Sequence, residues 1–590
     1  MRPMLPTLLL GFLIAGFMSA TASATSIEVP NDQPTIQAGI DAASPGDTVL
    51  VATGTFQGAG NNDVDFNGKD VVVRSSEGSE FTHLELAGGS YFTLANGESQ
   101  AATIEGFTLQ GGVWGIKIRN GAAPTIRDCV ISGATLSGCD AREAGPFSLL
   151  GCKIRDSGTR GVYISDPGLG VTISGCEISN NSGGGMYLEG ARSIDIVDCD
   201  FEGNTSNTHG CGLWLELEGG VANIIGCRFV NNSRTVAGIS GGGARLQTAP
   251  SIADKVFNVQ DCLFDGNIGS GSGGGLSFSS SDRTTATIQN CIFRANRSQT
   301  AGGLSYYLSG SLPFTPIIDC VFVDNVASGS AGGLFFTPWA TIGTVLRCVF
   351  LRNDGYSAGA AQVQAGHGRF ESCTMAENRV FNGSVIQVSR TEPTTGELTL
   401  DRTIVAFSGG TSGTSVNCGY NPGHATCTNI FGNSGGDWVD CLAGQLGVQG
   451  NISKDPRFCN LADDDLGLDA TSPCAPANSE VGCELIGAFP VACGEAAHLD
   501  ADLQAAAPLE LYAMPNPIET HAVLLFGEAT IENGPSRVEI YDPAGRLVHA
   551  DWVSQSSTVW RPASSLAPGV YLARVTQGTR SGTAKLVLAR

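Results

Sequence analysis

Short stretches of alternating apolar and polar residues recur between about residues 48 and 407, and clusters of glycine separate them. A typical stretch is residues 286–293, with the sequence ATIQNCIF. No apolar repeat of three or four residues persists there for three helical turns. The pattern therefore predicts short β-strands joined by tight turns.

These strands belong to a longer repeat that is centred on a cysteine. Residues 261–267 (DCLFDGN), 290–296 (NCIFRAN) and 319–325 (DCVFVDN) are three clear copies. Ten cysteines recur 23 to 35 residues apart, namely Cys129, Cys152, Cys176, Cys199, Cys227, Cys262, Cys291, Cys320, Cys348 and Cys373. In eight of the ten copies an asparagine follows five residues later, namely Asn181, Asn204, Asn232, Asn267, Asn296, Asn325, Asn353 and Asn378. Such a period is typical of a stacked repeat architecture.

One repeat has the length of one coil of a parallel β-helix, which closes on itself and stacks on the next coil. Stacking places equivalent residues about 4.8 Å apart in columns. We expect the cysteines to face inward as small apolar fillers and to remain mostly buried thiols, because stacked positions hold their Cβ atoms too far apart for relaxed disulfides. The asparagines are predicted at a turn, bonding to the backbone and to one another.

The repeat resembles the right-handed parallel β-helix proteins of the pectate-lyase-like superfold. Its Phe-x-x-Asn and Gly-Gly-Leu elements also resemble the repeats of polymorphic outer-membrane adhesins. These resemblances imply an all-β protein whose right-handed parallel β-helix solenoid spans residues 48–407. They also imply an N-terminal cap over residues 25–47, in which a short amphipathic helix at residues 34–43, with Pro34 in its first turn, covers the first coil.

The two ends of the chain differ from the solenoid. Residues 1–24 combine Arg2, an apolar run over 8–17 and a small-residue site at 22–24, which predicts a secretory signal peptide cleaved after Ala24. No later stretch is long and apolar enough to be predicted as a membrane span. Residues 495–508 form an Ala-rich linker, and strands with regular turns in 509–590 predict a small antiparallel β-sandwich domain.

This last domain resembles the C-terminal sorting domain of type IX secretion cargo, and also the immunoglobulin-like domain of flagellar hook-capping proteins. The resemblance implies that residues 509–590 engage a secretion and anchoring machinery. The protein would then lie outside the cell or on the outer surface of a bacterium.

Residues 408–494 are rich in cysteine and are predicted to form the terminal coils and cap. Since an exported protein meets an oxidising environment, cysteines outside the repeat are disulfide candidates. The seven beyond the regular repeat are the better candidates, namely Cys418, Cys427, Cys441, Cys459, Cys474, Cys483 and Cys493, and the predicted pairs are Cys418–Cys427, Cys441–Cys459 and Cys474–Cys483. A zinc site is the alternative, although no Cys-x2-Cys motif or nearby Cys/His pair supports it.

The net charge is −23, and residues 509–590 carry as many basic as acidic side chains, so the acidity lies upstream. This argues against nucleic acid as a partner, and against polyanions without a bridging cation. Calcium is a candidate cofactor in the cap, with Asp463, Asp464, Asp465 and Asp469 as oxygen ligands. A solvated acidic loop is the alternative.

Evidence for catalysis is sparse. Gly366-His367-Gly368 resembles one element of the polygalacturonase pattern and makes His367 a candidate catalytic residue, but the other elements are missing. Four candidate carboxylates stand on nearby coils: Asp261, Asp265, Asp319 and Asp324. Asp261 and Asp319 precede the cysteine at a position that Gly, Asn, Arg and Ser also fill, and this tolerance suggests solvated surface. Five aromatic residues would stack on sugar rings or simply alternate in and out of the coils: Trp114, Trp214, Tyr306, Tyr307 and Trp339.

Three functions remain open. The leading hypothesis is a non-catalytic surface protein that adheres to a polysaccharide, or to a host or neighbouring cell. The second is a lyase or glycoside hydrolase acting on acidic polysaccharide. The third is a structural stalk. An enzyme needs a carboxylate cluster and a base on adjacent coils, a binder needs a continuous aromatic or polar stripe, and a stalk needs neither.

Overall fold

The computed structural model describes residues 24–493, apart from 87, 209, 235–239, 281–282, 309–313, 339–340, 390–395 and 412. Of the C-terminal unit it describes residues 511–514, 522–526, 536–541, 547–553, 557–563, 566–577 and 580–588. The predicted linker and all but the last residue of the predicted signal peptide lie outside these ranges.

The solenoid is a stack of coils, each of which contributes a strand to sheet 1, then to sheet 2, then to sheet 3. Every strand pairs in parallel with its equivalents in the coils before and after it. The prediction of a parallel β-helix is confirmed.

Sheet 1 consists of Ser26–Val29, Thr48–Val51, Val72–Ser75, Thr103–Glu105, Thr125–Arg127, Ser148–Leu150, Val171–Ser174, Lys255–Gln260, Thr284–Gln289, Ile317–Ile318, Ile342–Leu346, His367–Glu371, Glu397–Asp401 and Gly423–Thr426. Sheet 2 consists of Gly54–Phe56, Thr82–Leu86, Thr108–Gly111, Val130–Ser132, Lys153–Arg155, Glu177–Ser179, Asp200–Glu202, Arg228–Val230, Leu263–Asp265, Ile292–Arg294, Val321–Val323, Val349–Leu351, Thr374–Ala376, Ile404–Ala406 and Asn429–Phe431.

Sheet 3 consists of Val64–Asp65, Ser90–Leu94, Trp114–Arg119, Cys139–Arg142, Val162–Ser165, Ala244–Thr248, Leu276–Ser280, Leu304–Leu308, Leu334–Thr337, Ala358–Gln364, Ser384–Ser389 and Thr414–Asn417. Two long strands, Met186–Val197 and Leu213–Ile225, belong first to sheet 3 and then to sheet 1. Two-residue strands lie at the corner between sheets 2 and 3, namely Thr205–Ser206, Ser233–Arg234, Arg297–Ser298, Val326–Ala327, Asp354–Gly355, Arg379–Val380 and Gly409–Gly410.

The cysteine column lies inside the corner between sheets 1 and 2, and all ten thiols are buried and free. Cys291 shows the shared pattern, since its Sγ donates to the carbonyls of Gln289 at 3.2 Å and Val259 at 3.6 Å. Thr403 continues the column, and its hydroxyl donates to the equivalent carbonyls. Burial raises the pKa of the Cys320 and Cys373 thiols. The prediction of buried thiols is confirmed.

The asparagine column is a continuous ladder of buried amides. Asn296 Nδ2 donates to Asn325 Oδ1 at 3.0 Å and to the Phe264 carbonyl at 2.8 Å, and the Asn296 backbone N–H donates to the same Oδ1 at 3.1 Å. Beside the ladder the phenylalanine rings stack face to face, as Phe293 and Phe322 do with centroids 4.9 Å apart. Both columns stabilise the coil, and the predicted asparagine bonding is confirmed.

A helix covers the open end of the first coil. It spans Ile36–Ala42, and the Thr35 hydroxyl caps it by accepting from the Ala38 N–H. Ile36 and Ile40 are fully buried, as the amphipathic pattern predicts. Pro34 precedes the N-cap, so its predicted place in the first turn is wrong. Lys69 Nζ closes the other end of the helix by donating to the Ile40 carbonyl at 2.9 Å.

After the last coil the chain turns back along the outer face of sheet 2. It forms the 3-10 turns Asp440–Leu442 and Leu461–Asp463 and the antiparallel strands Phe458–Asn460 and Asp465–Leu468. Residues 455–493, here called the strap, bury Leu466 against Val323, Val349, Leu351 and Ala376 of sheet 2. The cap therefore lies against the side of the solenoid as well as its end.

Three disulfides hold this region, and all three differ from the predicted pairs. They join Cys418 to Cys441, Cys427 to Cys483, and Cys459 to Cys493. The predicted pairs Cys418–Cys427, Cys441–Cys459 and Cys474–Cys483 are therefore wrong. Cys474 is a buried free thiol, and burial raises its pKa to about 11. Pairing in chain order fails because the strap reverses direction and brings together cysteines that are distant in the chain.

The C-terminal unit consists of two antiparallel sheets around one core. One sheet holds Leu511–Met514, Ala522–Phe526 and Ser557–Trp560, and the other holds Leu547–Val553, Ser536–Tyr541, Gly569–Gln577 and Arg580–Leu588. Trp560 and Tyr571 are buried between them. Within the described ranges of the chain, no helix is both long and apolar enough to cross a membrane.

Candidate ligand-binding face

The outer surface of sheet 3 carries one column of chemically distinctive side chains. Because alternate residues of a strand point outward, the strand register aligns one outward residue per coil. Six consecutive coils contribute Lys117, Asp140, Tyr163, Tyr187, Trp214 and Arg245, here called the sheet 3 ladder.

The aromatic rings of the ladder stack on each other. The centroids of Tyr187 and Trp214 are 4.1 Å apart with 10° between the ring planes, and those of Tyr163 and Tyr187 are 5.7 Å apart. Trp214 is only 7% exposed. The faces of the rings thus pack against one another. The rings form a rigid wall that presents mainly ring edges to a ligand.

Arg160, in the turn before strand Val162–Ser165, lies over this wall. Its Cζ is 4.1 Å from the Tyr187 ring centroid and 4.9 Å from that of Tyr163. Among the described residues, its buried Nε has no hydrogen-bond partner and no carboxylate pairs with its guanidinium. The rings therefore hold a cation in place without neutralising it.

The neighbouring arginine is neutralised. Arg142 lies 4.8 Å from the Tyr163 centroid, and its Nε and Nη2 each lie 3.0 Å from an oxygen of Asp140. Arg119 binds the same buried carboxylate. Since both guanidinium groups engage Asp140, this acid is a structural anchor for the arginines.

The surroundings of Tyr163 and Arg245 shift the pKa of both side chains. Burial, together with the 2.7 Å hydrogen bond from the Tyr163 hydroxyl to Glu189, raises the pKa of Tyr163. The phenol therefore stays protonated near neutral pH and is not suited to act as a base. Burial lowers the pKa of Arg245, whose Nε donates to Gln247 Oε1 at 2.9 Å.

His367 lies on a different surface from the ladder. On the outer face of sheet 1 its Nδ1 is 2.9 Å from Glu397 Oε2, and His424 Nε2 is 3.7 Å from the other oxygen of Glu397. The structure thus gives His367 a carboxylate partner but does not bring it to the sheet 3 ladder. A catalytic role for His367 remains only a prediction.

The four carboxylates noted on nearby coils do not form one cluster. Asp265, Asp319 and Asp324 each pair with an arginine of the following coil, respectively Arg294, Arg347 and Arg352. Asp261 and Asp319 precede the cysteine column with φ of 56° and 53°. This left-handed conformation favours Gly, Asn and Asp, which accounts for the aspartates at this position, although Arg347 and Ser372 adopt it as well.

The predicted calcium ligands have protein partners. Asp464 pairs with Arg352, Asp463 accepts from Asn460, Asp465 accepts from the Gly467 N–H, and Asp469 accepts from Thr471. In the part of the chain that the structure describes, no group of three or more His, Cys, Asp or Glu residues is placed to hold a metal ion.

The aromatic residues noted in the sequence lie in different environments. Tyr306 is buried in the core and donates its hydroxyl to the Ala286 carbonyl, whereas Tyr307 is 37% exposed. Lys117 Nζ lies 4.0 Å from the Trp114 ring centroid. Trp339 lies outside the described residues.

Sequence reasoning found Trp214 but missed its two tyrosine neighbours and Arg160. A signal was present, since Tyr163, Tyr187 and Trp214 each follow a Gly-apolar pair at the start of a sheet 3 strand. Three aromatics at one repeat position predict a stacked column.

Two family models match the chain. One is described as a right handed beta helix region and matches residues 92–252, and the other is a secretion system C-terminal sorting domain that matches residues 512–589. The chain therefore contains a right-handed β-helix region. It carries a type IX secretion sorting domain, which places it outside the cell or on the cell surface.

Several solved structures are similar to the chain at low sequence identity, and no curated protein matches it. Pectate lyase Pel9A is 12% identical over 77% of this chain and 90% of its own, with a TM-score of 0.28. Tailspike protein gp49 of Acinetobacter baumannii bacteriophage Fri1, a capsular polysaccharide depolymerase, is 10% identical over 96% and 78%, with a TM-score of 0.30. The GH87 alpha-1,3-glucanase of Streptomyces thermodiastaticus is 13% identical over 71% and 70%, with a TM-score of 0.26.

Proposed function

We propose that this exported protein is a non-catalytic glycan-binding or adhesion protein whose ligand contacts the sheet 3 ladder. The observation that carries the proposal is Arg160, a guanidinium positioned by Tyr163 and Tyr187 with no carboxylate partner among the described residues. Arg294 and Arg347, by contrast, each pair with an aspartate of the preceding coil.

The chemistry of Arg160 favours an anionic group on the ligand. A guanidinium offers a planar fork of N–H donors that matches carboxylate, sulfate or phosphate oxygens. Because the rings already order the side chain, less conformational entropy is lost on binding. The net charge of −23 opposes long polyanions in general, so attraction would be confined to this cationic part of the surface.

The shape of the face favours a linear polymer. The ladder runs along the solenoid axis in steps of about 4.8 Å, and polar groups such as the Glu189 and Glu216 carboxylates lie beside it. An extended polysaccharide would meet hydrogen-bonding groups coil after coil. A protein that served only as a structural stalk would not require an ordered guanidinium such as that of Arg160 on this face.

Binding of the purified exported chain to immobilised polygalacturonate, alginate, chondroitin sulfate and neutral dextran tests the proposal. We expect at least one anionic polymer to bind, and Arg160→Ala to weaken its binding about tenfold or more. Arg228→Ala is the matched control, because Arg228 pairs with Asp200 on the outer face of sheet 2. Wild-type affinity in Arg160→Ala, or no binding to any polymer, would overturn the proposal.

The same incubations distinguish a binder from a lyase or hydrolase. Release of unsaturated or reducing ends would be followed in parallel. Product release that is lost in Glu189→Gln or Arg160→Ala would replace the non-catalytic proposal with the enzymatic one. Binding without product is the expected result.

A further inference from the structure

The column that holds the sheet 3 ladder continues into later coils with different chemistry. Beyond Arg245 the strand register aligns Ser277, Ser305, Phe335, Gln362 and Gln387. The two serines are small, so no bulky side chain of this column stands between Arg245 and Phe335.

The glutamine pair is incompletely hydrogen-bonded. Gln362 is 8% exposed and donates from Nε2 to Ser389 Oγ at 3.0 Å. Its Oε1 and that of Gln387 are buried, and neither accepts a hydrogen bond from the described residues. The hydroxyl of Thr337, on the neighbouring outward position, is likewise buried without a partner among them.

The interior of the same fold shows how amides are normally satisfied. Asn325 Oδ1 accepts two N–H groups of Asn296, at 3.1 and 3.0 Å. A buried acceptor without a donor is destabilising, and such groups in a native structure usually have a missing partner. Two adjacent examples on one outward column are therefore places where a donor from outside the chain, a ligand hydroxyl or an ordered water, would complete the hydrogen bonding once the amide turns outward.

We propose that Gln362 and Gln387 form a second subsite, which takes the hydroxyl groups of the same glycan that meets Arg160; this rests on the proposed function. An amide whose oxygen is not held can turn over about χ3 and offer either its carbonyl or its N–H to a sugar hydroxyl. A ligand that follows the column would thus meet a guanidinium at Arg160 and side-chain amides at Gln362 and Gln387.

The separation of the two subsites fixes the size of the ligand. Six coil steps separate Tyr187 from Gln362 along the register, which at about 4.8 Å per step is roughly 29 Å. A short oligosaccharide would occupy one subsite, and only a long chain would occupy both. Affinity should therefore rise with chain length beyond what one subsite provides.

Oligogalacturonides of four and of twelve residues, and alginate oligomers of the same lengths, test this with the full exported chain. We expect the twelve-residue oligomer to bind about tenfold more tightly than the four-residue one. In the double variant Gln362→Ala/Gln387→Ala, the ratio of the affinity for the twelve-residue oligomer to that for the four-residue oligomer should fall below about threefold. The affinity for the four-residue oligomer should stay unchanged. Gln260→Ala/Gln289→Ala is the matched control, because these glutamines are register partners on sheet 1.

The outcomes separate the two proposals. Equal affinity for both lengths, or a gain that survives in Gln362→Ala/Gln387→Ala, would overturn the second subsite while the Arg160→Ala result still supports the first. No binding of any oligomer would overturn both. If the alanine variant does not fold, Gln362→Glu/Gln387→Glu keeps the side-chain shape, and the added charges should abolish the gain for the long anionic oligomer.

Discussion

Arg352 Nη2 lies 2.9 Å from Asp464 Oδ2, a residue 112 positions later in the chain. The same guanidinium pairs with Asp324, so one arginine joins two coils and the strap. Together with Leu466, which packs on sheet 2, this contact holds residues 455–493 against the side of the solenoid.

Removing the strap contact should loosen that segment selectively. Asp464→Asn leaves the partly buried Arg352 with one carboxylate instead of two, which we expect to cost about 1–2 kcal/mol. Native-state proteolysis within 455–493 should then become several-fold faster. Asp463→Asn is the control, since that carboxylate lies at the surface beside Asn460. Equal cleavage rates in the two variants would contradict the assigned role.

The asparagine ladder should be sensitive to a single deletion. Asn296→Ala leaves the N–H groups of Asn267 and the carbonyl of Phe264 without their buried partner, so we expect a loss of about 3 kcal/mol in the free energy of unfolding. Denaturant unfolding followed by circular dichroism measures it. Asn258→Ala, on the outer face of sheet 1, should lose less than about 1 kcal/mol. A similar loss in both would show that burial of the ladder is not the cause.

The free cysteine thiols should not react with a thiol reagent while the protein is folded. All thirteen free cysteines are buried, so a reagent in solution cannot reach their sulfur atoms in the folded protein. A thiol reagent should find none at pH 8 and thirteen after denaturation without reductant. Tyr420→Cys should add one reactive thiol, because Tyr420 is 99% exposed. Several reactive thiols in the native wild-type protein would refute the buried column.

The N-terminal cap should weaken in acid. Asp47 accepts hydrogen bonds from the N–H groups of Thr25 and Ser44, and these bonds lower its pKa. A lowered pKa in the folded state means that the stabilisation is present above about pH 4 and is lost as the pH falls below it. The hydrogen-exchange protection of residues 25–51, taken relative to the intrinsic exchange rate at each pH, should therefore fall between about pH 4 and pH 2.5. Asp47→Asn should remove that pH dependence, and an unchanged acid profile would refute the role of Asp47.

Calcium removal should not affect stability. The four aspartates of the strap engage Arg352, Asn460, Gly467 and Thr471. A chelator should accordingly leave the thermal unfolding midpoint unchanged, with a calcium-saturated sample as the reference. A clear fall in the midpoint would restore Asp463 and its neighbours as ligand candidates.

The sequence by itself determined the repeat, the parallel β-helix, the inward cysteine and asparagine columns, the capping helix and the C-terminal sorting domain. Coils that are neighbours in the chain are also neighbours in space, so a period such as that between Cys291 and Cys320 specifies register directly. Each repeat position therefore has one structural meaning throughout the solenoid.

Only the tertiary structure decided the disulfides, the strap and the binding face. The strap does not repeat, and its contacts, such as Arg352 with Asp464, join residues far apart in sequence. The stacking of Tyr187 on Trp214 beneath Arg160 depends on side-chain directions in three separate coils and on the turn that carries the arginine. Periodicity places residues in columns, but packing decides which side chains touch and which charge is left without a partner.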